Sequence, residues 1–393
     1  MRVDSEDLDS IVTGTTVGDR LEAWVWRDGE LAVDHALSIS DWSTDWDAGR
    51  QVQGQVSLTV ADPDGTLAPW GLADALAPGG SRLQLTYISS PGGQDPIRVP
   101  LGWWRIREAD PHEEWRVYSN GSGLVRVAGG GTVSVTADEE TSTALLARLD
   151  AEVVQGPTVV QEVRRLLTDV CPVVAHPDVV DGPVQSGYVY DESRMDGVDD
   201  LLSMIDAEYR MAGDGSLEIV PSAGVGPVWT IEGGEGGAQI ETVRALSDSG
   251  VYNAVVATGE DADGLPLVGR AYITDGPLAW GGPFGQVPLF HKAVGKSAGA
   301  VQREAESVLA NRRASGEVDL DVTCLTHPGL QVHDLVTVAA TTTAGVHPLV
   351  GRVVQMKMVS VAGSGSTPSK SMKLVVRVPA GSLEAVAWAV RRG

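Results

Sequence analysis

Histidine and carboxylate residues are the first candidates for chemistry in this sequence. His327, His333 and Asp334 fall within the stretch HPGLQVHDLV at 327–336. Imidazole and carboxylate groups bind metals and carry protons, but zinc and calcium sites need ligands at defined spacings that this stretch lacks. We therefore expect these residues to lie in a loop and at the start of a strand, with Asp334 in a turn.

Two acidic turns resemble fragments of calcium-binding loops. DPDG spans 62–65 and DADG spans 261–264. An EF-hand loop needs a bidentate glutamate at its twelfth position, where this sequence has Ala73 and Tyr272. Both stretches therefore indicate β-turns.

The stretch GSGSTPSK at 363–370 has some likeness to a phosphate-binding loop. Its ending differs from that of such loops and no helix follows it, so it indicates a flexible connection.

No other pattern predicts catalysis. The sequence has no HExxH zinc motif and no cysteine motif of a nucleophilic enzyme. Paired carboxylates such as Glu113–Glu114 and Glu139–Glu140 are common in so acidic a chain, and the sequence does not place them about a substrate. We predict no catalytic residue, no cofactor and no metal, and hence no enzyme.

Composition excludes several classes of partner. The formal net charge of −24 opposes binding to nucleic acid backbones and to anionic membrane surfaces. No apolar run reaches the roughly 18 residues of a membrane-spanning helix, and the acidic start MRVDSEDLDS is unlike a signal peptide, so we expect synthesis in the cytoplasm. Cys171 and Cys324 are too few for a disulfide framework and are expected to be buried thiols.

The elements that would position these residues begin with β-structure. LEAWVWRDGELAV at 21–33 predicts a hairpin with its turn at Asp28-Gly29. QVQGQVSLTV at 51–60 places Val52, Val56, Leu58 and Val60 on one face of a strand. RLQLTYI at 82–88 and WWRIREADPHEEWRVY at 103–118 predict further strands with polar turns.

Helices follow this region. Residues 136–150, 158–172 and 193–211 each predict a helix, the second with Val159, Val163, Leu166, Leu167 and Val170 on one side. Strands return at 251 with a hairpin turning at DADG, and a helix at 298–315 precedes four more strand candidates. The predicted fold is mainly β with an α+β insert: two β units, each a closed barrel or a sandwich, flank a small α+β domain. The predicted domains are 1–136 (β), 137–240 (α+β), 241–380 (β with one helix) and 381–393 (C-terminal tail).

Several stretches resemble a known family. WSTDWDAGRQVQGQVSLTVADPDGTLAPW and LGWWRIRE are similar to the N-terminal part of minor tail proteins from phages of actinobacteria. The later stretch that begins YNAVVATGEDADG, together with HPGLQVHDLV, resembles the second barrel of baseplate hub proteins. Their loop has the form NPxLxxGDxV, which Pro328, Leu330, Asp334 and Val336 fit, whereas His327 and His333 replace Asn and Gly. We expect these replacements to leave the fold unchanged. The resemblance implies two related β-barrel domains, 1–136 and 241–380, that flank the α+β domain 137–240, as in phage baseplate hub proteins.

The resemblance implies a structural role in the virion. Such hubs form homotrimeric rings that join the six-fold tail tube to the three-fold tail tip and leave a channel for DNA. The implied partners are further copies of the chain, a tail tube or distal tail protein, a tail tip or central fibre protein, and the tape measure protein, with no specific nucleic-acid binding and no membrane-spanning segment.

Aromatic residues are the candidate contacts. The chain has 11 tryptophans and 2 phenylalanines. Because tryptophan is enriched at protein interfaces, the candidate interface residues are Trp42, Trp46, Trp70, Trp103, Trp104, Trp280 and Phe284. Packing inside the barrels remains open for each, and so do two other functions: a receptor- or glycan-binding tail protein with exposed tryptophans, and a cell-wall hydrolase.

Overall fold

Alternation of apolar and polar residues produces the strands of this protein. In the computed structural model, Val56, Leu58 and Val60 are buried along one face of β4, as their spacing predicts. Val52, predicted on the same face, lies before β4 and is half-buried. The structure describes residues 12, 16–91, 95–119, 121, 123–150, 152–184, 189–190, 192–234, 237–244, 252–261, 264–275, 278–293, 297–314, 317–360, 371–379, 382, 383, 386, 388 and 390. The predicted loop at 363–370 lies outside these residues.

The described residues are mainly β. The strands are β1 (Thr16–Arg27), β2 (Glu30–Leu31), β3 (Ile39–Asp47), β4 (Gly54–Asp62), β5 (Arg82–Pro91), β6 (Ile97–Ser119), β7 (Leu124–Glu139), β8 (Glu152–Val153), β9 (Val173–Ala175), β10 (Val189–Tyr190), β11 (Ala207–Met211), β12 (Leu217–Pro221), β13 (Pro227–Ile231), β14 (Gln239–Arg244), β15 (Ala254–Glu260), β16 (Pro266–Tyr272), β17 (Pro288–Lys292), β18 (Glu317–Leu325), β19 (Leu335–Thr342), β20 (Gly345–Ser360) and β21 (Ser371–Pro379). The helices are α1 (Thr141–Leu146), α2 (Val159–Leu166), α3 (Arg194–Ser203) and α4 (Ala298–Ala314).

The chain forms two compact units. Unit 1 comprises residues 1–243, 320–341 and 346–376, and unit 2 comprises 244–319, 342–345 and 377–393. The largest sheet has the order β14-β18-β21-β20-β3-β4-β7-β6-β5-β1-β2, with β19 paired to β20 and β13 to β19. Among the described strands this order is an open path and not a closed ring. The prediction of a mainly β fold is therefore confirmed, whereas these strands do not form a closed barrel.

Pairing between β3 and β20 connects the N-terminal and C-terminal strands of unit 1. Trp42 to Asp47 run antiparallel to Gln355 to Ser360. Beside this sheet, α2 and α3 pack against the small sheet β11-β12-β9 through a core that includes Val163, Leu166 and Leu201. The apolar side predicted for α2 is therefore confirmed.

Four predictions about these elements are wrong. The helix predicted over 158–172 ends at Leu166, and residues 167–170 form a turn before Pro172 is reached. The helix predicted within 136–150 spans only Thr141–Leu146, because β7 stays paired to β6 as far as Glu139. The helix predicted over 193–211 ends at Ser203, and the chain re-enters a sheet as β11. The segment 103–118 contains no polar turn: β6 is continuous through Pro111, with bulges on either side.

Unit 2 contains the predicted DADG hairpin. β15 and β16 are antiparallel, β17 pairs with β15 in parallel, and α4 covers this sheet. Its small core includes Val255, Ile273, Val301 and Leu309. No helix within the described part of the chain is long and apolar enough to cross a membrane.

Candidate interaction site

The loop between β18 and β19 is buried. His327, Leu330, Gln331, His333 and Asp334 all have side chains almost removed from solvent. His333 has φ +69°, a left-handed conformation that favours glycine. The residue that replaces the expected glycine therefore adopts the backbone conformation of a glycine.

Asp334 is paired with an arginine from the α+β region. Its Oδ1 accepts a hydrogen bond of 2.7 Å from Arg210 on β11, and its Oδ2 accepts one of 2.9 Å from the backbone N–H of Gln331. Arg210 also donates to Glu218 at 2.8 Å and to the carbonyl of Val332 at 3.3 Å. Burial opposes the charge of Arg210, but the two carboxylates raise its pKa. These contacts fasten the loop to β11 and β12.

A second charged cluster lies beside the first. Nδ1 of His333 is 2.9 Å from Oε2 of Glu208, and Arg352 on β20 donates to the other carboxylate oxygen at 2.7 Å. Burial of Glu208 disfavours its charge, but hydrogen bonds and charges from His333 and Arg352 outweigh it and lower the pKa to about 2. The amide of Gln53 reaches His333 Nε2 at 3.3 Å and the carbonyl of Tyr209 at 2.9 Å.

These two charged clusters connect segments that are distant in the sequence. They join β11 and β12 of the α+β region to the loop before β19 and to β20, all within unit 1. Within the described ranges, no three His, Cys, Asp or Glu side chains are grouped so that they could hold a metal ion.

The acidic turn and the paired carboxylates also have structural contacts. The carboxylate of Asp62, in the DPDG turn, accepts hydrogen bonds from the backbone N–H groups of Thr66, Leu67 and Ala68 at 2.9, 3.1 and 3.0 Å. Glu139 accepts from the backbone N–H of Gln53 at 2.9 Å. Glu140 is 2.9 Å from the guanidinium of Arg82, and burial raises the pKa of this carboxyl.

One motif was missed in the sequence. GKSAG at 295–299 has the GxSxG spacing of a hydrolase nucleophile elbow. Ser297 lies just before α4, and its hydroxyl accepts a hydrogen bond of 3.3 Å from the backbone N–H of Ala300. This contact is that of a helix N-cap.

Three of the candidate tryptophans lie in the core of unit 1. Trp42, Trp46 and Trp104 are buried. The Trp46 and Trp104 rings meet edge to face at 5.6 Å, and Trp42 meets Tyr87 in the same way at 6.0 Å. The structure thus places them in their own sheet, and their part in an interface stays a prediction.

Other candidates are partly exposed. Trp103 and Trp26 lie 5.6 Å apart and line a cleft of about 600 Å³, with Arg82 and Glu140 also at its walls. In unit 2, Trp280 packs against Tyr272 at 5.0 Å, and Phe284 is half-buried.

Trp70 differs from the other candidate tryptophans in its exposure to solvent. Its side chain is 87% exposed, and that of Leu72 is 71% exposed. The turn that carries them is well anchored: the carboxylate of Asp74 accepts from the backbone N–H groups of Trp70 and Gly71 at 2.6 and 2.7 Å, and Leu76 is fully buried. We call Trp70 and Leu72 the aromatic knob.

An arginine-lined pocket opens elsewhere on unit 1. Its volume is about 520 Å³, and the exposed side chains of Leu145 and Leu146 of α1 line it. Arg50, Arg105 and Arg107 also line it. Sequence reasoning missed this pocket, because its residues come from four separate segments; the only local signal was the pair of arginines two positions apart on β6.

Solved structures of phage tail proteins share this fold. The tail protein from Neisseria meningitidis MC58 is similar over 91% of this chain and 96% of that chain, with 12% identity and a TM-score of 0.56. The 43 kDa tail protein of prophage MuSo2 from Shewanella oneidensis is similar over 92% of this chain and 98% of that chain, with 11% identity and a TM-score of 0.54. A chain of the Francisella PdpA-VgrG complex matches 92% of this chain but 58% of its own length, with 9% identity and a TM-score of 0.50. No protein-family model and no curated protein matches the sequence.

Proposed function

We propose that this chain is a structural tail hub protein of a phage or a related injection device. The observation that carries the proposal is the near-complete, two-way coverage of two tail proteins, which are spanned over 96% and 98% of their own lengths. The domain order in this proposal, β then α+β then β, comes from the sequence periodicity. We propose a location in the tail tip or baseplate of the virion.

The proposed assembly is a homotrimeric ring. In it, the regions 1–136 and 241–380 act as two related barrel-like domains around the α+β region 137–240, with 381–393 as a tail. Three chains then present six such domains to a six-fold tail tube and a three-fold face to the tail tip. A heterologous interface that closes after one full turn stops growth at the ring.

The charge of the chain suits a ring through which DNA passes. A basic lining would bind phosphates, and each neutralised phosphate would add to the affinity. The net charge of −24 avoids such retention. The further proposed partners are a tail tube or distal tail protein, a tail tip or central fibre protein, and the tape measure protein.

The oligomeric state tests this proposal directly. Mass photometry and sedimentation of the purified chain should give a trimer of about 124 kDa, three times the 41.2 kDa of one chain, and electron-microscopy class averages should have three-fold symmetry. A chain that stays monomeric at the highest attainable concentration would contradict the ring.

The Trp26–Trp103 cleft favours a second candidate, a glycan- or receptor-binding tail protein. Paired, partly exposed aromatic rings in a cleft of about 600 Å³ provide a surface on which a sugar ring could stack. A glycan array with the wild type and Trp103→Ala separates the candidates, since saturable binding that this variant loses supports the second. The proposed role involves no catalysis, and a lysis zone in zymography on host cell walls would contradict that part.

A further inference from the structure

We propose that the Trp26–Trp103 cleft binds a neutral saccharide, whose ring stacks on the indoles while adjacent hydroxyl groups bond to Arg82 and Glu140. This inference rests on the second proposed function, glycan binding, and it names the class of sugar and the residues that select it. It does not depend on the proposed ring, because one chain can both assemble and carry a saccharide site.

Strand register brings the aromatic and charged side chains of the cleft together. Trp26 on β1 lies opposite Arg82 on β5, and Trp103 on β6 lies opposite Gln84 on β5. Arg82 and Gln84 are two positions apart, so they point to the same face of the sheet, and their cross-strand neighbours share that face. One face of β1, β5 and β6 therefore carries both indoles and the guanidinium.

The two indoles form the aromatic walls of the cleft. Their centroids are 5.6 Å apart and their planes are inclined by 60°, so they are not stacked face to face. Nε1 of Trp26 donates to the amide oxygen of Gln84 at 3.2 Å, and Trp103 packs so closely against Gly215 that an added Cβ would lie 2.6 Å from the indole. Both rings are thus held in place although only half-buried, so binding would cost little conformational entropy. The negative face of an indole attracts the C–H groups of a sugar ring.

A guanidinium and a carboxylate supply the polar side of the cleft. Nη2 of Arg82 lies 2.9 Å from Oε1 of Glu140, and both residues line the cleft. This contact does not exhaust the pair, because a guanidinium has five N–H donors and a carboxylate has about four acceptor sites. The Arg82 side chain is 43% exposed and therefore accessible. A hydroxyl group both donates and accepts, so two adjacent sugar hydroxyls match a neighbouring donor and acceptor.

The charges of the cleft favour a neutral ligand over a charged one. Its lining includes Asp28, Glu140 and Asp214 as well as Arg27 and Arg82. The Arg27 guanidinium already donates to three groups of its own chain, and Arg82 is paired with Glu140. An acidic sugar would therefore meet carboxylates and no unpaired cation among the described lining residues, and a cationic sugar would compete with Arg82 for Glu140. The net charge of −24 adds a general repulsion of polyanions.

Glycan binding by wild type and cleft variants tests the inference. The probe is an array of neutral hexose oligosaccharides, with oligogalacturonates as the acidic set, and titration calorimetry then measures the Kd of the array ligand. Wild type should bind neutral members only, and Trp103→Ala should weaken that binding at least about 10-fold. Trp103→Phe, which keeps an aromatic face, should bind more tightly than Trp103→Ala.

The charged pair is tested by changing both of its members at once. Removing one partner would leave the other charge buried and unpaired, which destabilises the fold by itself. The double variant Arg82→Gln/Glu140→Gln removes both charges and should also bind at least about 10-fold more weakly, because hydrogen bonds to charged groups are the stronger ones. It also keeps the test decisive where Trp103→Ala does not fold, which circular dichroism and thermal unfolding determine for every variant.

Trp70→Ala is the matched control, since it removes a tryptophan that is 87% exposed but does not line the cleft. Its affinity for the array ligand should equal that of wild type. Neutral-glycan binding that all folded cleft variants retain would overturn this site and leave glycan binding by the chain standing. Absence of any glycan binding by wild type would overturn both, without bearing on the trimer. Preferential binding of the oligogalacturonates would overturn the assignment to neutral sugars.

Discussion

Replacing Glu208 by glutamine should destabilise unit 1 in a manner that depends on pH. The carboxylate lies between His333 and Arg352, and it joins β11 to the loop before β19 and to β20. Glutamine keeps the size of the side chain but removes its charge. The variant therefore tests the charged contacts without creating a cavity.

The magnitude follows from the lowered pKa of Glu208. A fall from 4.5 to about 2 corresponds to about 3 kcal/mol at roughly 1.4 kcal/mol per pH unit. The side chain is 34% exposed, so solvent screening reduces the contribution, and we expect about 1–2 kcal/mol. A carboxylate with a lowered pKa in the folded state stabilises the fold above its unfolded value. That stabilisation is lost as the pH falls from about 4.5 towards 2.

Urea unfolding followed by tryptophan fluorescence measures this effect, since Trp42, Trp46 and Trp104 are buried in unit 1. The difference in free energy of unfolding between wild type and Glu208→Gln should shrink as the pH falls from about 4.5 to 3. Glu30→Gln, at an exposed position of β2, is the matched control and should change stability by less than about 0.5 kcal/mol. An equal difference at pH 7 and pH 3, or none at pH 7, would refute the reasoning.

Three further predictions concern unit 1. Gly54→Ala should lower its stability by about 1–3 kcal/mol in urea unfolding, because an added Cβ would lie 2.6 Å from Oε2 of Glu139, 2.9 Å from Nε1 of Trp46 and 3.0 Å from the Trp104 ring; an unchanged midpoint would contradict this. Asp62→Ala should make the turn beneath the aromatic knob more susceptible to limited proteolysis, because three backbone N–H groups lose their acceptor; an unaltered cleavage rate would argue against the anchoring role. Burial raises the pKa of Cys171 to about 11 and of Cys324 to about 12, so maleimide at pH 8 should label neither until urea unfolds the chain, and rapid native labelling would refute this.

Local patterns predicted the elements whose structure depends on their neighbours in sequence. Asp28 and Gly29 both have positive φ, which the Asp-Gly turn between β1 and β2 requires. The apolar stripe of α2 and the DADG hairpin of unit 2 are local in the same sense. Cys171 and Cys324 are buried free thiols, as their small number suggested.

Long-range pairing overrode local signals elsewhere. Asp110-Pro111 indicates a turn, yet β6 continues, because beyond Arg105 the strand pairs with β7 but no longer with β5. Proline is compatible with a strand where its missing N–H faces no neighbour. The arginine-lined pocket and the exposure of Trp70 likewise arise from the packing of distant segments, for which the sequence has no local pattern.

The pairing of β3 with β20 has a consequence for synthesis on the ribosome. Asp47 and Gln355, which are hydrogen-bonded side by side, are separated by 308 positions. At about 5–20 residues per second, roughly 15–60 s pass between the emergence of the two strands. Throughout that interval β3 is a free sheet edge on the nascent chain, and such an edge pairs readily with strands of other chains. A ribosome stalled before β20 should therefore release a product prone to aggregation, and slow production of this protein should depend on chaperones that cover that edge.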